Sequence, residues 1–119
     1  MEQRFEVRIR ADLKDVAGER LADRIHSAIG KTVRCHLVEA YNLDGQLSDD
    51  ENAALSSEVF SDIVSQHCSF REPFFLDRWR IEIGMLPGVT DNVGGTASGA
   101  IRDRVGKDIP VYFTRMFAI

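Results

Sequence analysis

No apolar run in this sequence approaches the roughly 18 residues that a membrane-spanning helix needs. The first residues, MEQRFEVRIR, also lack the charged-then-apolar layout of an export signal. Cysteine is nearly absent, with Cys35 and Cys68 alone. Two cysteines without an export signal read as reduced thiols, which argues against a disulfide framework and for the cytoplasm. A clustered basic patch is missing as well. The net charge is −4, and the basic residues alternate with acidic ones in RFEVRIR and IRDRVGKD, as on solvated faces. Nucleic-acid and acidic-membrane surfaces are thereby disfavoured, because neutralising phosphates needs grouped Lys and Arg.

What remains is the composition of one ordinary globular domain. The chain has 119 residues, 44% of them hydrophobic and 29% charged, with only three prolines. A core of useful size is within reach without disulfides or metal.

Alternation of Phe5, Val7 and Ile9 with Glu6, Arg8 and Arg10 predicts a half-buried strand. Asp15 can cap a helix through VAGERLADRIHSAI, where Ala17, Leu21, Ile25 and Ile29 recur at helical spacing, and Gly30 can end it. TVRCHLVEAYNL alternates Val33, Cys35 and Leu37 inward as a second strand, closed by the Asp44–Gly45 turn. Ser48 and Glu51 have capping-box spacing and open a helix through LSDDENAALSSEVFSDIVSQH, with Leu55, Val59, Phe60, Ile63 and Val64 as its apolar stripe. CSFREPFFLD is linker-like. RWRIEIGML then reads as a strand, DNVGGTASGAIRDRV as a helix and DIPVYFTRMFAI as a last strand.

Residues 13–43 align without a gap against residues 89–119. Five pairs are identical: Asp15/Asp91, Gly18/Gly94, Ile25/Ile101, Gly30/Gly106 and Lys31/Lys107. The first strands also match, Val7 with Ile81 and Ile9 with Ile83, if two extra residues sit around Pro87–Gly88. This predicts an internal duplication of a βαβ unit, with repeats at about 1–46 and 77–119 joined by a helix and linker at 47–76. Glu39 and Arg115 occupy equivalent positions and would meet as an ion pair about a pseudo-twofold axis.

PGVTDNVGGTASGAI invites a phosphate-cradling reading, but it has neither the Gly-x-x-x-x-Gly-Lys nor the Gly-x-Gly-x-x-Gly spacing. Gly94 aligns with Gly18 inside a helix, so Gly94, Gly95 and Gly99 read instead as a small face for close packing against a sheet or partner. Cys35–His36 and His67–Cys68 offer zinc-ligand types. Adjacent strand residues point to opposite faces, however, and the Cys-x-x-Cys spacing is missing. Neither cysteine has a base and an orienting acid in view, as a nucleophile needs. Asp49, Asp50 and Glu51 fit the first turn of a helix, where the macrodipole favours negative charge.

FEVRIRADLKDVAGERLADRI resembles the opening of PurS, the small subunit of bacterial phosphoribosylformylglycinamidine synthase. YNLDGQLSDDENAAL and, most specifically, IEIGMLPGVTDNVGGTASGAI are similar to the PurS-like domain fused ahead of the synthetase in large forms of that enzyme. The resemblance spans nearly the whole chain. It implies a domain that mimics a PurS dimer and bridges the synthetase and glutaminase parts. The enzyme makes formylglycinamidine ribonucleotide from formylglycinamide ribonucleotide, glutamine and ATP. ATP, Mg²⁺ and the glutaminase cysteine belong to later domains, so no cofactor and no catalytic residue is carried over to this chain. The end at Ile119, equivalent to Leu43, reads as that of a fragment of a longer protein.

The expected fold is α+β, a two-layer sandwich with helices on one face of an antiparallel-containing sheet and right-handed βαβ crossovers. The expected core is Phe5, Val7, Ile9, Leu21, Ile25, Val33, Cys35, Leu37, Leu55, Val59, Ile63, Trp79, Ile81, Ile83, Ile101, Ile109, Val111 and Phe113. Two functions follow. One is a non-catalytic PurS-like scaffold whose partners are the synthetase and glutaminase parts, able to self-associate when isolated. The other is a free-standing ferredoxin-like ligand-sensing module with an effector site at the Gly-rich strand–helix junction.

Overall fold

The computed structural model describes residues 3–62, 64–85 and 89–119. Its elements, in chain order, are β1 (Gln3–Ile9), α1 (Val16–Ile29), β2 (His36–Leu43), α2 (Asp49–Glu58), β3 (Gln66–Ser69), β4 (Arg80–Gly84), α3 (Asn92–Val105) and β5 (Val111–Ala118). Among the described residues the architecture is α+β: one five-stranded sheet in the order β3-β1-β2-β5-β4, every neighbouring pair antiparallel, with three helices.

Directly opposed residues of an antiparallel sheet share a face. The rows Phe5–Tyr41–Phe113 and Val7–Glu39–Arg115–Ile83 therefore lie on one side. On that side Phe5, Val7, Leu43 and Val111 pack with Leu55 of α2 and with Ala97 and Ile101 of α3. Phe60 closes this core, with ring centroids 4.6 Å from both Phe5 and Tyr41. The other side buries Val38, Ala40 and Met116. The segment between β3 and β4 binds there, the Phe74 amide donating to Glu6 Oε1 at 2.8 Å.

The two strand–helix–strand segments are not parallel crossovers, contrary to the expected right-handed βαβ units. Asp15 explains why. Its carboxylate accepts from the Gly18 amide at the start of α1 and from the Leu37 amide at the start of β2. Both starts are pinned together, so residues 30–35 must run back beside α1 before β2 begins. Gly18 permits that return: a Cβ there would lie 2.1 Å from the Cys35 carbonyl oxygen.

The second half repeats this arrangement. Asp91 accepts from the amides of Gly94 and Phe113, and a Cβ on Gly94 would lie 2.3 Å from the Val111 oxygen. Gly30 and Gly106 close the two helices in the left-handed region, at φ 71° and 73°. These positions are all 76 residues apart (91 minus 15, 106 minus 30). Strand pairing keeps the same interval, since Val7 opposes Glu39 and Ile83 opposes Arg115. Ile83, not Ile81, is thus the counterpart of Val7, and no two-residue insertion is needed. Pro87 and Gly88, where it was expected, lie outside the described residues.

Other expectations need correction. The second helix ends at Glu58 rather than continuing toward His67. Asp62 competes for the backbone beyond it, its side chain accepting from Val64 and its carbonyl from Ser65 and Gln66. Residues 66–69 then add β3 beside β1, in a region read as helix end and linker. Val64 is exposed, and Ile63 lies outside the described residues. Ile9, Leu21, Ile25, Val33, Leu37 and Val59 are half-buried. Trp79, Ile81 and Ile83, expected in the core, are 83%, 53% and 57% exposed.

Candidate docking surface

The exposure of Ile81 and Ile83 has a local cause. They stand on the helix-bearing face of β4, an edge strand, beside Phe117 of β5. Val16, Leu21 and Ile25 of α1 line the opposite wall, and together they leave an open groove of about 800 Å³ with a mostly apolar floor. Arg20, Arg24 and Arg115 also line it, with Ile119 at one end, whereas no Asp or Glu side chain does. None of these arginines forms an ion pair with a described residue. The Arg115 guanidinium instead lies 5.6 Å from the Phe117 ring centre.

The 76-residue interval shows what the groove lacks. Ile81, Ile83, Phe117, Leu21 and Ile25 correspond to Phe5, Val7, Tyr41, Ala97 and Ile101. Those five stand in or against the closed core, covered by Leu47, Leu55, Val59 and Phe60. The residues that cover Phe5, Val7, Tyr41, Ala97 and Ile101 come from α2 and its flanks. Among the described residues, no segment plays that part over β4, and none pairs with its outer edge.

Glu39 and Arg115 are opposed Cα partners in the central β2–β5 pair. That is where a twofold relating the halves would pass, because the two residues are themselves 76 apart. Their side chains form neither an ion pair nor a hydrogen bond with each other. Of the three glycines read as a packing face, Gly94 meets the β5 backbone, while a Cβ on Gly95 or Gly99 would meet nothing within 4 Å.

The cysteines and histidines are dispersed. Cys35 is buried just ahead of β2, and burial pushes its thiol pKa up. Cys68, packed against the core, is pushed up by burial too. This is the reverse of an activated nucleophile. Among the described residues no group of three or more His, Cys, Asp or Glu side chains could hold a metal ion. No helix among the described residues is long and apolar enough to cross a membrane.

The back of the sheet carries a polar network that sequence reasoning missed. Glu6, a buried carboxylate, takes Arg4 at 2.8 Å and Arg80 at 3.4 Å. Arg4 also spans to Glu82 at 2.7 Å, a hydrogen bond that holds the Glu82 carboxyl below its ordinary range. Nearby, His36 stacks on Phe75 at 4.6 Å, with Arg8 on the same ring at 4.5 Å. Phe75 holds φ 57°, a left-handed conformation that bulky residues rarely adopt. Burial, followed by Arg78 and Arg8, pushes the His36 imidazole pKa down.

Arg20 and Arg24 were legible only as one exposed stripe four residues apart on α1. Their meeting with Arg115 depends on the sheet order, which no local pattern encodes. In comparisons with family models, curated proteins and solved structures, the chain matches none.

Proposed function

We propose that this chain is a non-catalytic, cytoplasmic PurS-like domain of phosphoribosylformylglycinamidine synthase. It acts by contact, holding the synthetase and glutaminase parts together. The carrying observation is the α1–β4–β5 groove, whose apolar wall is open although its counterpart in the other half is closed. An apolar wall left open beside an unpaired edge strand is a place where another protein can dock. The recurrence of caps, close glycine contacts and strand register at one interval supports origin by internal duplication, as the family resemblance implies. Catalysis, ATP and Mg²⁺ are assigned to the partner parts.

The test is reconstitution with the synthetase and glutaminase polypeptides of a bacterial enzyme of this class. The chain should bind them and raise glutamine-dependent formation of formylglycinamidine ribonucleotide, while leaving the ammonia-dependent reaction unchanged. Turnover of glutamine or ATP by the purified chain alone, or no binding to either polypeptide, would refute the reading.

One observation favours the ligand-sensing alternative. It lies at the β1–α1 junction and not at the Gly-rich junction before α3 where the effector site was expected: a cleft of about 290 Å³ lined by Arg8, Lys14, Arg34 and His36 together with Asp15 and Glu19. Calorimetric titration with nucleotides and amino acids separates the two, because the scaffold needs no such ligand.

A further inference from the structure

We infer that the α1–β4–β5 groove seats an acidic amphipathic helix of a partner polypeptide, docked as α2 docks on the other half. This rests on the scaffold reading and specifies the partner segment it requires. Two independent observations carry it.

The first is geometric. Ile81, Ile83, Phe117, Leu21 and Ile25 stand at the fixed 76-residue interval from the residues that α2 and its flanks cover. The uncovered wall therefore has the layout of a wall that already receives a helix.

The second is electrostatic. The helix that covers the first half is acidic, with Asp49, Asp50, Glu51 and Glu58, and it is anchored to basic residues at the far end of α3. Glu51 pairs with Lys107 at 2.8 Å, and Glu58 pairs with Arg104. The open groove presents cations of its own, Arg20, Arg24 and Arg115, without an ion pair to a described residue; they stand where the closed half has Thr96, Ala100 and Glu39, so the charge match is to the groove itself and not inherited from the α2 anchors. A second copy of this chain is the poorer occupant. A symmetric dimer through the groove would set the same arginines against one another across a twofold axis.

The probe is a synthetic peptide of residues 44–61, DGQLSDDENAALSSEVFS, which carries five carboxylates. A charge-inverted version replaces each Asp and Glu by Lys. Both are titrated into the ¹⁵N-labelled full chain and followed by amide shift changes. The acidic peptide should move resonances of residues 16–25, 81–83 and 115–119, and the inverted peptide should not. Arg20→Glu/Arg24→Glu should weaken binding about tenfold, the combined effect expected of two rim charges. Arg102→Glu, at the exposed end of α3, should leave it unchanged. Both arginines are exposed, so an unaltered thermal melt of the double variant is the folding control; Ile83→Glu tests the apolar wall separately.

Equal binding of both peptides, shifts confined to α2 and α3, or no shifts at all overturns the inference. Dilution-dependent shifts of the same groove residues without peptide also overturn it, by making a second copy the occupant. In the reconstituted enzyme, binding and stimulation that survive Arg20→Glu/Arg24→Glu and Ile83→Glu overturn the groove while leaving the scaffold reading intact. A wild-type chain that binds neither enzyme polypeptide refutes the scaffold reading instead.

Discussion

Replacing Gly94 and Gly95 by alanine, one at a time, should move stability in opposite directions although the two are neighbours on one helix. A Cβ at Gly94 would lie 2.3 Å from the Val111 carbonyl oxygen and 2.6 Å from Asp91 Oδ2. The first is backbone of a central strand, and the second is the carboxylate that holds the helix start and the strand start together. Neither can yield without loss. Forced overpacking costs about 1–3 kcal/mol. Loosening the cap adds about 1 kcal/mol, and alanine returns about 1 kcal/mol of helix propensity. Gly94→Ala should therefore destabilise by about 1–3 kcal/mol. Gly95 has nothing within 4 Å, so Gly95→Ala should keep the propensity gain and stabilise by about 0.5–1 kcal/mol. Gly18→Ala should follow Gly94, given its 2.1 Å approach to the Cys35 oxygen. Urea denaturation at constant m gives all three values. If Gly94→Ala proved as stable as Gly95→Ala, the Asp–Gly junction would not be the close contact described.

Glu6→Gln should cost about 2 kcal/mol in the same assay, since it weakens two arginine contacts to a buried acceptor while keeping an oxygen for the Phe74 amide; a change under 0.5 kcal/mol would contradict the network. His36 predicts a pH dependence. Its pKa is lower folded than unfolded, so the unfolded chain binds the proton first as pH falls through about 6.5. Stability should then fall with pH until the folded pKa is passed, and His36→Gln should flatten that slope; an unchanged slope would contradict the burial of His36. The arginine-held Glu82 acts in the same direction only at lower pH, in the carboxylate range. Trp79, the only tryptophan and 83% exposed, should show the emission of a solvated indole in the native chain, nearly as in urea. Blue-shifted native emission would mean that the chain buries it.

The elements that were legible in the sequence are those with local determinants. Asp15 and Gly30 mark the bounds of α1, and Ser48 with Glu51 marks the start of α2, because caps act within one turn. Alternation located β1, β4 and β5, but it could not tell a central strand from an edge strand. Ile81 and Phe5 carry the same pattern, yet Phe5 is covered by Phe60 and Ile81 is open. The inward side of β2 was half-read for a related reason. Val38 and Ala40, on the opposite face from Leu37, are fully buried because the segment before β4 crosses behind the sheet. The apolar stripe also misplaced the end of α2, where hydrogen bonds of Asp62 override it. The groove was out of reach altogether, since its two walls lie more than fifty residues apart in sequence.

Hydrogen–deuterium exchange on the chain, alone and with the synthetase and glutaminase polypeptides, tests the docking surface most directly. Edge strand β4 and the groove-facing part of α1 should be slowed in the complex at residues 80–84 and 16–25, while α2 and α3 stay unchanged. Slowing confined to α2 and α3, or none anywhere in a complex shown to form, would contradict it.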